Sequence, residues 1–503
     1  MGKLTKAAIG VFFISVAAKV LGLAKEVLLA YKFGTSYIVD AYTIAISFPS
    51  IVFAVFASGI AESYIPAASG IKDGKERNYF TSNIITITTI ISIIIMIISM
   101  AFSSEIVGIL APGFSGESFE LAKKLLYIVV TMLPVMVVYN IYNGQLLYDE
   151  SFIFTNFVNS LVLNVLILIS IVISSEKNPQ MLGVGYVISY FVVLIMYISY
   201  SHRNTSYRYS FCCKPNDKNF STLLNMAIPM GISLIAVQLN SLIDKALASS
   251  LGGGIIAALG YANKIQLLFY SLVTSVVMSI CFPRISMHFS NKEYEKGKHY
   301  IEKAFLIATY AGIPVAAVLI LFSTPVTQLL FERGNFSSNS TIVTAECLLF
   351  YAVGMVFYSY REIFSRVLVA NKNQRKVLKN TIIVVLLNIS LNISLIGVLK
   401  HVGLALATSI AGIVASGLMY LDLKQEGLQF IDKEVILEII KILFATLISS
   451  LGSYSLFRFV GDTIEGELSL ILACIVFGLF YLSCSLLLNI KIVRWAIKTV
   501  IKR

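Results

Sequence analysis

Three ionisable residues, Lys19, Lys25 and Glu26, stand inside a long apolar stretch that opens near Ala8. A charge at the centre of a bilayer costs about 2.5–3.5 kcal/mol on insertion scales, so each needs a partner or a wet cavity. At about 100° per residue, Lys19 and Glu26 share one helix face two turns apart, while Lys25 opens a second face. Two cations against one acid suit an anionic headgroup; a structural ion-pair cluster is the plain alternative. Asp40 and Glu62 are further acids near opposite ends of the second apolar run, Asp40 with an equal claim to a structural, interfacial role. Asp244 and Lys245 lie within Leu242–Ala248, and Lys264 follows Tyr261-Ala262-Asn263. Lys245 and Lys264 are candidates for phosphate contact. Asn388 and Asn392, four apart and so on one face, precede Thr408. Converging with one carboxylate, these neutral oxygens could hold a hard monovalent cation. Hydrogen bonding between helices is the alternative use of the same residues. Six cysteines without a CxxC and four histidines without HExxH suggest neither a metal centre nor redox work. The chemistry on offer is binding and passage of a charged group, with no cofactor and no covalent step.

The elements that must position these groups are membrane helices. Hydrophobic residues make up 57% of the 503 and charged residues 13%, with a mean hydropathy of +0.84. Soluble domains carry about 25% charged residues. A soluble enzyme, a nucleic-acid-binding domain and a disordered chain are therefore excluded. At about 20 residues per span, the apolar content fills roughly fourteen helices. Apolar runs open near residues 8, 37, 80, 121, 152, 181, 221, 255, 302, 341, 377, 401, 434 and 466. Pro112-Gly113, Asn178-Pro179, Gly252-Gly253-Gly254 and Gly334-Asn335 punctuate them. No cleavable signal peptide is evident. With the N-terminus inside, 23 Lys and Arg fall in inner loops, against Lys32, Lys177, Arg333, Lys400 and Arg458 outside. The positive-inside rule then places both termini in the cytoplasm and accounts for most of the net charge of +12.

An internal repeat organises the spans. Ile14-Ser15 matches Ile232-Ser233, Leu29 matches Leu247, Gly34 matches Gly252, Pro66 matches Pro283 and Ser69 matches Ser286, at an offset that stays at 217–218. Lys25-Glu26 lies over Ile243-Asp244. An offset of six spans keeps orientation, so the expected architecture is all-α: two parallel six-helix lobes, residues 1–215 and 216–426, with substrate between them. Residues 427–503 add two helices outside the repeat.

The same residues carry a resemblance. Lys19-Val20-Leu21-Gly22 through Lys25-Glu26, Leu110-Ala111-Pro112-Gly113-Phe114, Asn240 to Ser249, Phe282-Pro283-Arg284-Ile285-Ser286, Phe331-Glu332-Arg333-Gly334-Asn335-Phe336 and His401 to Ser409 run in family order. In them the chain resembles the MurJ/MviN family of lipid-linked oligosaccharide flippases, within the group that also holds multidrug exporters. The resemblance implies a fourteen-helix fold with a cationic cavity and a groove at the last two helices for a polyprenyl tail. It implies movement of lipid II, the undecaprenyl-diphosphate-linked peptidoglycan precursor, from the inner to the outer leaflet of a bacterial cytoplasmic membrane. Cell-wall synthesis proteins are the partners it suggests. Lys25-Glu26 takes the place of a central Arg-Asp pair, Lys19 of an upstream arginine, and Lys264 of an arginine in an Ala-Asp-Arg motif. Asp244, Asn388, Asn392 and Thr408 fit the places of a sodium-coupled design in some members. The chain departs from the pattern at Phe53 and Ala54, where arginines are usual, and at Ser58, where a glutamate is. A capsule or O-antigen-type flippase, a cation-coupled exporter of the same group, and a membrane scaffold that has lost transport are the rival readings. The loss of arginines favours the first two; the lack of any extramembrane domain counts against the scaffold.

Overall fold

The structure, a computed structural model, describes residues 3–54, 59–461 and 466–495, and within these ranges all side chains except those at 3–9, 12, 61–62, 229–230, 232–234 and 236–237. Among the described residues, regular structure is helical apart from one isolated antiparallel bridge, Ser175–Asn178. In lipid the backbone must bond to itself, and helices do this within one segment. Among the described residues, ten helices are long and apolar enough to cross a membrane. The protein is a polytopic all-α membrane protein.

The chain forms two compact units: residues 1–257 with 333–336, and residues 258–332 with 337–503. The division falls one span later than the repeat boundary at 215/216, because the seventh span packs with the first six.

The first unit contains α1 (Lys3–Phe33), α2 (Tyr37–Phe53), α3 (Gly59–Ser69), α4 (Gly74–Ala101), α5 (Ser103–Leu110), α6 (Gly116–Val129), α7 (Leu133–Tyr148), α8 (Phe152–Phe157), α9 (Leu163–Ile173), α10 (Gln180–Asn204) and α11 (Lys218–Ser249). Asp side chains start two of these helices: Asp73 accepts from the Lys75 amide at 3.1 Å and Asp217 from the Phe220 amide at 2.9 Å. Each satisfies a donor that a helix start leaves open. Tyr64, Phe80, Ile84, Met132, Tyr142 and Tyr197 form its core. The opposite face of α4 carries Ile90, Ile94, Ile97 and Ile98 outward, the face a lipid would cover.

The second unit takes up α12 (Ile255–Ile280) from its fourth residue and continues with α13 (Phe282–Ser290), α14 (Tyr294–Leu321), α15 (Ser323–Phe331), α16 (Ser338–Ala370), α17 (Gln374–Gln425), α18 (Lys433–Gly461) and α19 (Gly466–Leu487). α17 breaks at Lys400, where φ is 50° and ψ −131°. That is where the sequence expects one span to end and the next to begin. Phe305, Tyr360, Phe364 and Phe430 pack as an aromatic core. The C-terminal pair is tied in by Ser453 Oγ donating to the Ala473 carbonyl at 2.7 Å and Tyr481 Oη donating to the Tyr310 carbonyl at 2.8 Å.

Candidate functional site

In α1, Lys19, Lys25 and Glu26 are half-buried. Lys25 Nζ stands 3.8 Å from Glu26 Oε1, with side chains 22% and 13% exposed. Adjacent helical residues diverge by about 100°, so the four-carbon lysine stem must bend back to make this approach. The pair is longer than a hydrogen bond, a contact of charge rather than of fixed geometry.

Two other candidates of this unit, Lys245 and Asp40, have definite partners. Lys245, half-buried on α11, donates to Ser47 Oγ on α2 at 2.7 Å. Asp244 beside it is also half-buried. Asp40 is fully buried, and its two carboxylate oxygens accept from the backbone amides of Gly254 at 2.5 Å and Ala257 at 2.7 Å. These amides open α12, so Asp40 caps the start of that helix from a distance and faces its positive dipole end. Of its two readings in the sequence, the geometry supports the structural one, since both oxygens are spent on the backbone. Gly254 fits the arrangement: its φ is +86°, and a Cβ there would stand 2.2 Å from the Thr35 carbonyl oxygen. Residues 40 and 257 are 217 apart, the offset of the repeat, so the cap joins equivalent turns. The backbone of Glu62 lies in α3, and its side chain lies outside the described ones, as does the whole of Ser58.

Two contacts at the end of α1 escaped the sequence reading. Lys32 donates to the carbonyls of Ile171 at 3.1 Å, Val172 at 2.5 Å and Ser174 at 2.6 Å, closing the C-terminus of α9. The Asn335 amide donates to the Tyr31 carbonyl at 2.9 Å, and its side chain to the Lys32 carbonyl and Glu176 Oε1, each at 2.7 Å. Residues 333–336 thus complete the first unit. Nothing in the lysine or the Gly-Asn turn announces these partners, which lie more than a hundred residues away.

A tyrosine cluster is a third feature without a place in the sequence reading. Tyr186 and Tyr190 pack at 5.3 Å, Tyr42 meets Tyr186 edge-on at 6.2 Å, and Tyr139 meets Tyr190 at 5.9 Å and Tyr197 at 5.7 Å. Tyr197 Oη donates to Asn143 Oδ1 at 3.1 Å. The spacing of 186, 190 and 197 along one face of α10 was the available signal.

In the second unit, Lys264 is exposed on α12. Asn263 beside it donates to Gln266 Oε1 at 3.4 Å, and the buried Gln266 donates to the Tyr351 carbonyl at 3.1 Å. Asn388 and Asn392 are both buried on α17, and Asn392 Nδ2 donates to Asn388 Oδ1 at 3.0 Å. The Thr408 hydroxyl donates to the Leu404 carbonyl at 2.9 Å, and its own carbonyl accepts from Tyr358 Oη at 3.0 Å. The four-residue spacing therefore does bring the two amides together. Among the described residues no group of three or more His, Cys, Asp and Glu could hold a metal ion.

The family model described as lipid II flippase MurJ matches residues 29–473. The chain belongs to the MurJ family. Members of this family are transporters rather than enzymes. The lipid II flippase MurJ of Thermosipho africanus is 29% identical over 80% of this chain and 82% of its own. The probable lipid II flippase MurJ of Rickettsia prowazekii is 26% identical over 81% of each chain. A solved structure of lipid II flippase MurJ in an inward closed conformation covers 96% of this chain and 98% of its own, at 28% identity and a TM-score of 0.83. An inward-facing MATE multidrug transporter of the MOP superfamily matches at a TM-score of 0.69 and 18% identity, a likeness of fold alone.

Proposed function

We propose that this MurJ-family chain flips lipid II from the inner to the outer leaflet of the bacterial cytoplasmic membrane, with both termini in the cytoplasm. The family match over residues 29–473 carries the reading. The half-buried charges of α1 agree with it. Lys19 and Lys25 in the first unit and Lys264 in the second are the groups assigned to the diphosphate. A lysine meets phosphate as a point charge without the bidentate geometry of arginine, so it attracts the anion and leaves it free to rotate and depart. Glu26 holds Lys25 in place while substrate is absent. Transport proceeds by alternating access, with the polyprenyl tail along the last two helices, and the product enters peptidoglycan synthesis. An inside-negative potential, worth about 2.3 kcal/mol per charge per 100 mV, drives a net anion outward. Sodium coupling belongs to the proposal on the family resemblance at Asp244, in the first unit, and at Asn388, Asn392 and Thr408, in the second, residue types whose oxygens suit a hard cation. Recruitment of cell-wall synthesis proteins is a further part of it.

The test is complementation of a strain depleted of its own lipid II flippase. Rescue by the wild type, lost in Lys25→Ala and Glu26→Ala, supports the reading. A wild type that inserts in the membrane and fails to rescue refutes it. Sodium-dependent transport that survives Asp244→Ala refutes the coupling.

A further inference from the structure

Away from these groups, the second unit holds a cavity of about 330 Å³ where α12, α13 and α14 meet the residues that follow α19. Arg284, Tyr300, Lys303 and Trp495 line it, over an apolar floor that includes Ile280 and Ile307. Arg284 Nη1 donates to Tyr300 Oη at 3.0 Å and its guanidinium lies 5.6 Å from that ring. Lys303 Nζ sits 5.3 Å from the Tyr300 ring and 5.5 Å from the Trp495 ring. Both cations thus lie against the Tyr300 ring, Lys303 against Trp495 as well.

No carboxylate pairs with either cation among the described residues. The acids of this corner are engaged elsewhere: Glu302 with Lys491 at 2.7 Å, and Glu293 with Lys296 at 2.8 Å and His288 at 2.6 Å. Residues 496–503, Ala-Ile-Lys-Thr-Val-Ile-Lys-Arg, contain no Asp or Glu. The cations therefore face the cavity with a net positive field. A chain at the membrane surface with a paired Tyr and Trp places this cavity at headgroup level, since these rings favour the interface. The sequence beside it is basic, with Lys292, Lys296 and Lys298 on one segment and Lys491 and Arg494 on the other, the side on which anionic lipids attract cations.

We infer that this cavity is a binding site for the phosphate of an anionic glycerophospholipid in the adjoining leaflet. Arg284 and Lys303 hold the phosphodiester oxygens, Tyr300 fixes the Arg284 fork, and the start of the acyl chains lies against Ile280 and Ile307. The volume is at the low end of small-molecule sites, enough for a headgroup with its tails left in the bilayer. Neutral lipid gains less, because its own ammonium competes with the two cations. The inference does not depend on which lipid the protein transports.

Trp495 is the single tryptophan of the chain, so its emission reports the cavity directly. The purified full chain in a neutral detergent is titrated with short-chain phosphatidylglycerol, with phosphatidylcholine of the same chain length, and with inorganic phosphate. The expected result is a saturable change with phosphatidylglycerol that phosphatidylcholine does not reproduce. The Arg284→Gln/Lys303→Gln double variant, folded by its thermal transition, should weaken binding by roughly tenfold or more. Lys303→Arg, which keeps the charge, should retain it. Equal responses to both lipids, or undiminished binding in the double variant, overturn the site. Inorganic phosphate binding as tightly as phosphatidylglycerol overturns the lipid assignment in favour of a free anion.

Discussion

Replacing Asp40 with Asn should loosen the start of α12 in a measurable way. The wild-type carboxylate accepts from the Gly254 and Ala257 amides at 2.5 and 2.7 Å in a fully buried setting. Asparagine has nearly the same shape, keeps one oxygen and turns an NH2 group toward the second amide, donor against donor. One charge-assisted bond is lost, and one buried N–H is left without an acceptor. A hydrogen bond to a charged group contributes about 1.5–3 kcal/mol, and the attraction of the carboxylate to the helix N-terminus also goes. Since every 1.4 kcal/mol is a factor of ten, amide hydrogen exchange at Gly254 and Ala257 should speed up by roughly ten- to a hundredfold. The assay is exchange in detergent or nanodiscs, read on peptides spanning 250–260, with peptides from the core of α10 as an internal reference. Unchanged exchange at 254 and 257 in Asp40→Asn, with the reference also unchanged, would show that the carboxylate does not hold this turn.

In complementation, Lys25→Arg should retain function that Lys25→Ala loses, because a bidentate group can replace a point charge at a phosphate more readily than a methyl can; loss in both would point to packing instead. Gly334→Ala should destabilise by about 1–3 kcal/mol, since φ is +62° and a Cβ would stand 2.4 Å from the Tyr31 carbonyl oxygen, whereas Gly397→Ala, with nothing within 4 Å, should be neutral or better; thermal unfolding of both variants checks this. The Lys376 ammonium, 2.5 Å from Glu426, holds the Glu426 carboxyl below its usual pKa of 4.5. A depressed folded-state pKa contributes stability above the unfolded value and loses it as pH falls through the folded one. Glu426→Gln should therefore flatten the fall in thermal stability below about pH 4.5, by under about 1 kcal/mol for so exposed a pair.

What the sequence made legible follows from what is local. The charges of α1 stood out because their cost in lipid is a property of one segment. The four-residue spacing of Asn388 and Asn392 brought them to one face because helix geometry is local, and the break at Lys400 followed from the end of an apolar run. Asp40 was readable as an acid near a helix start but not as a cap, because its donors lie 214 and 217 residues away and are backbone groups, which every residue type but proline offers alike. The same holds for Lys32, whose three acceptors are carbonyls, and for Ser47, one serine among many until Lys245 reaches it.

This difference separates two uses of charge in one membrane protein. Asp40 and Lys32 meet fixed backbone donors and acceptors at hydrogen-bond distances, at helix ends that would otherwise be left open. Displacing either charge would strand several buried groups at once, so these residues resist exchange of partners and behave as scaffold. Lys25 and Glu26 meet at 3.8 Å, side chain to side chain, on flexible stems. On the proposed function, a diphosphate offers Lys25 more negative charge than one carboxylate does. Glu26 then faces a weaker partner until the anion leaves, which favours release. A loose contact of this kind is what the proposed transport site requires, since a substrate bound as firmly as Asp40 holds α12 would not be let go.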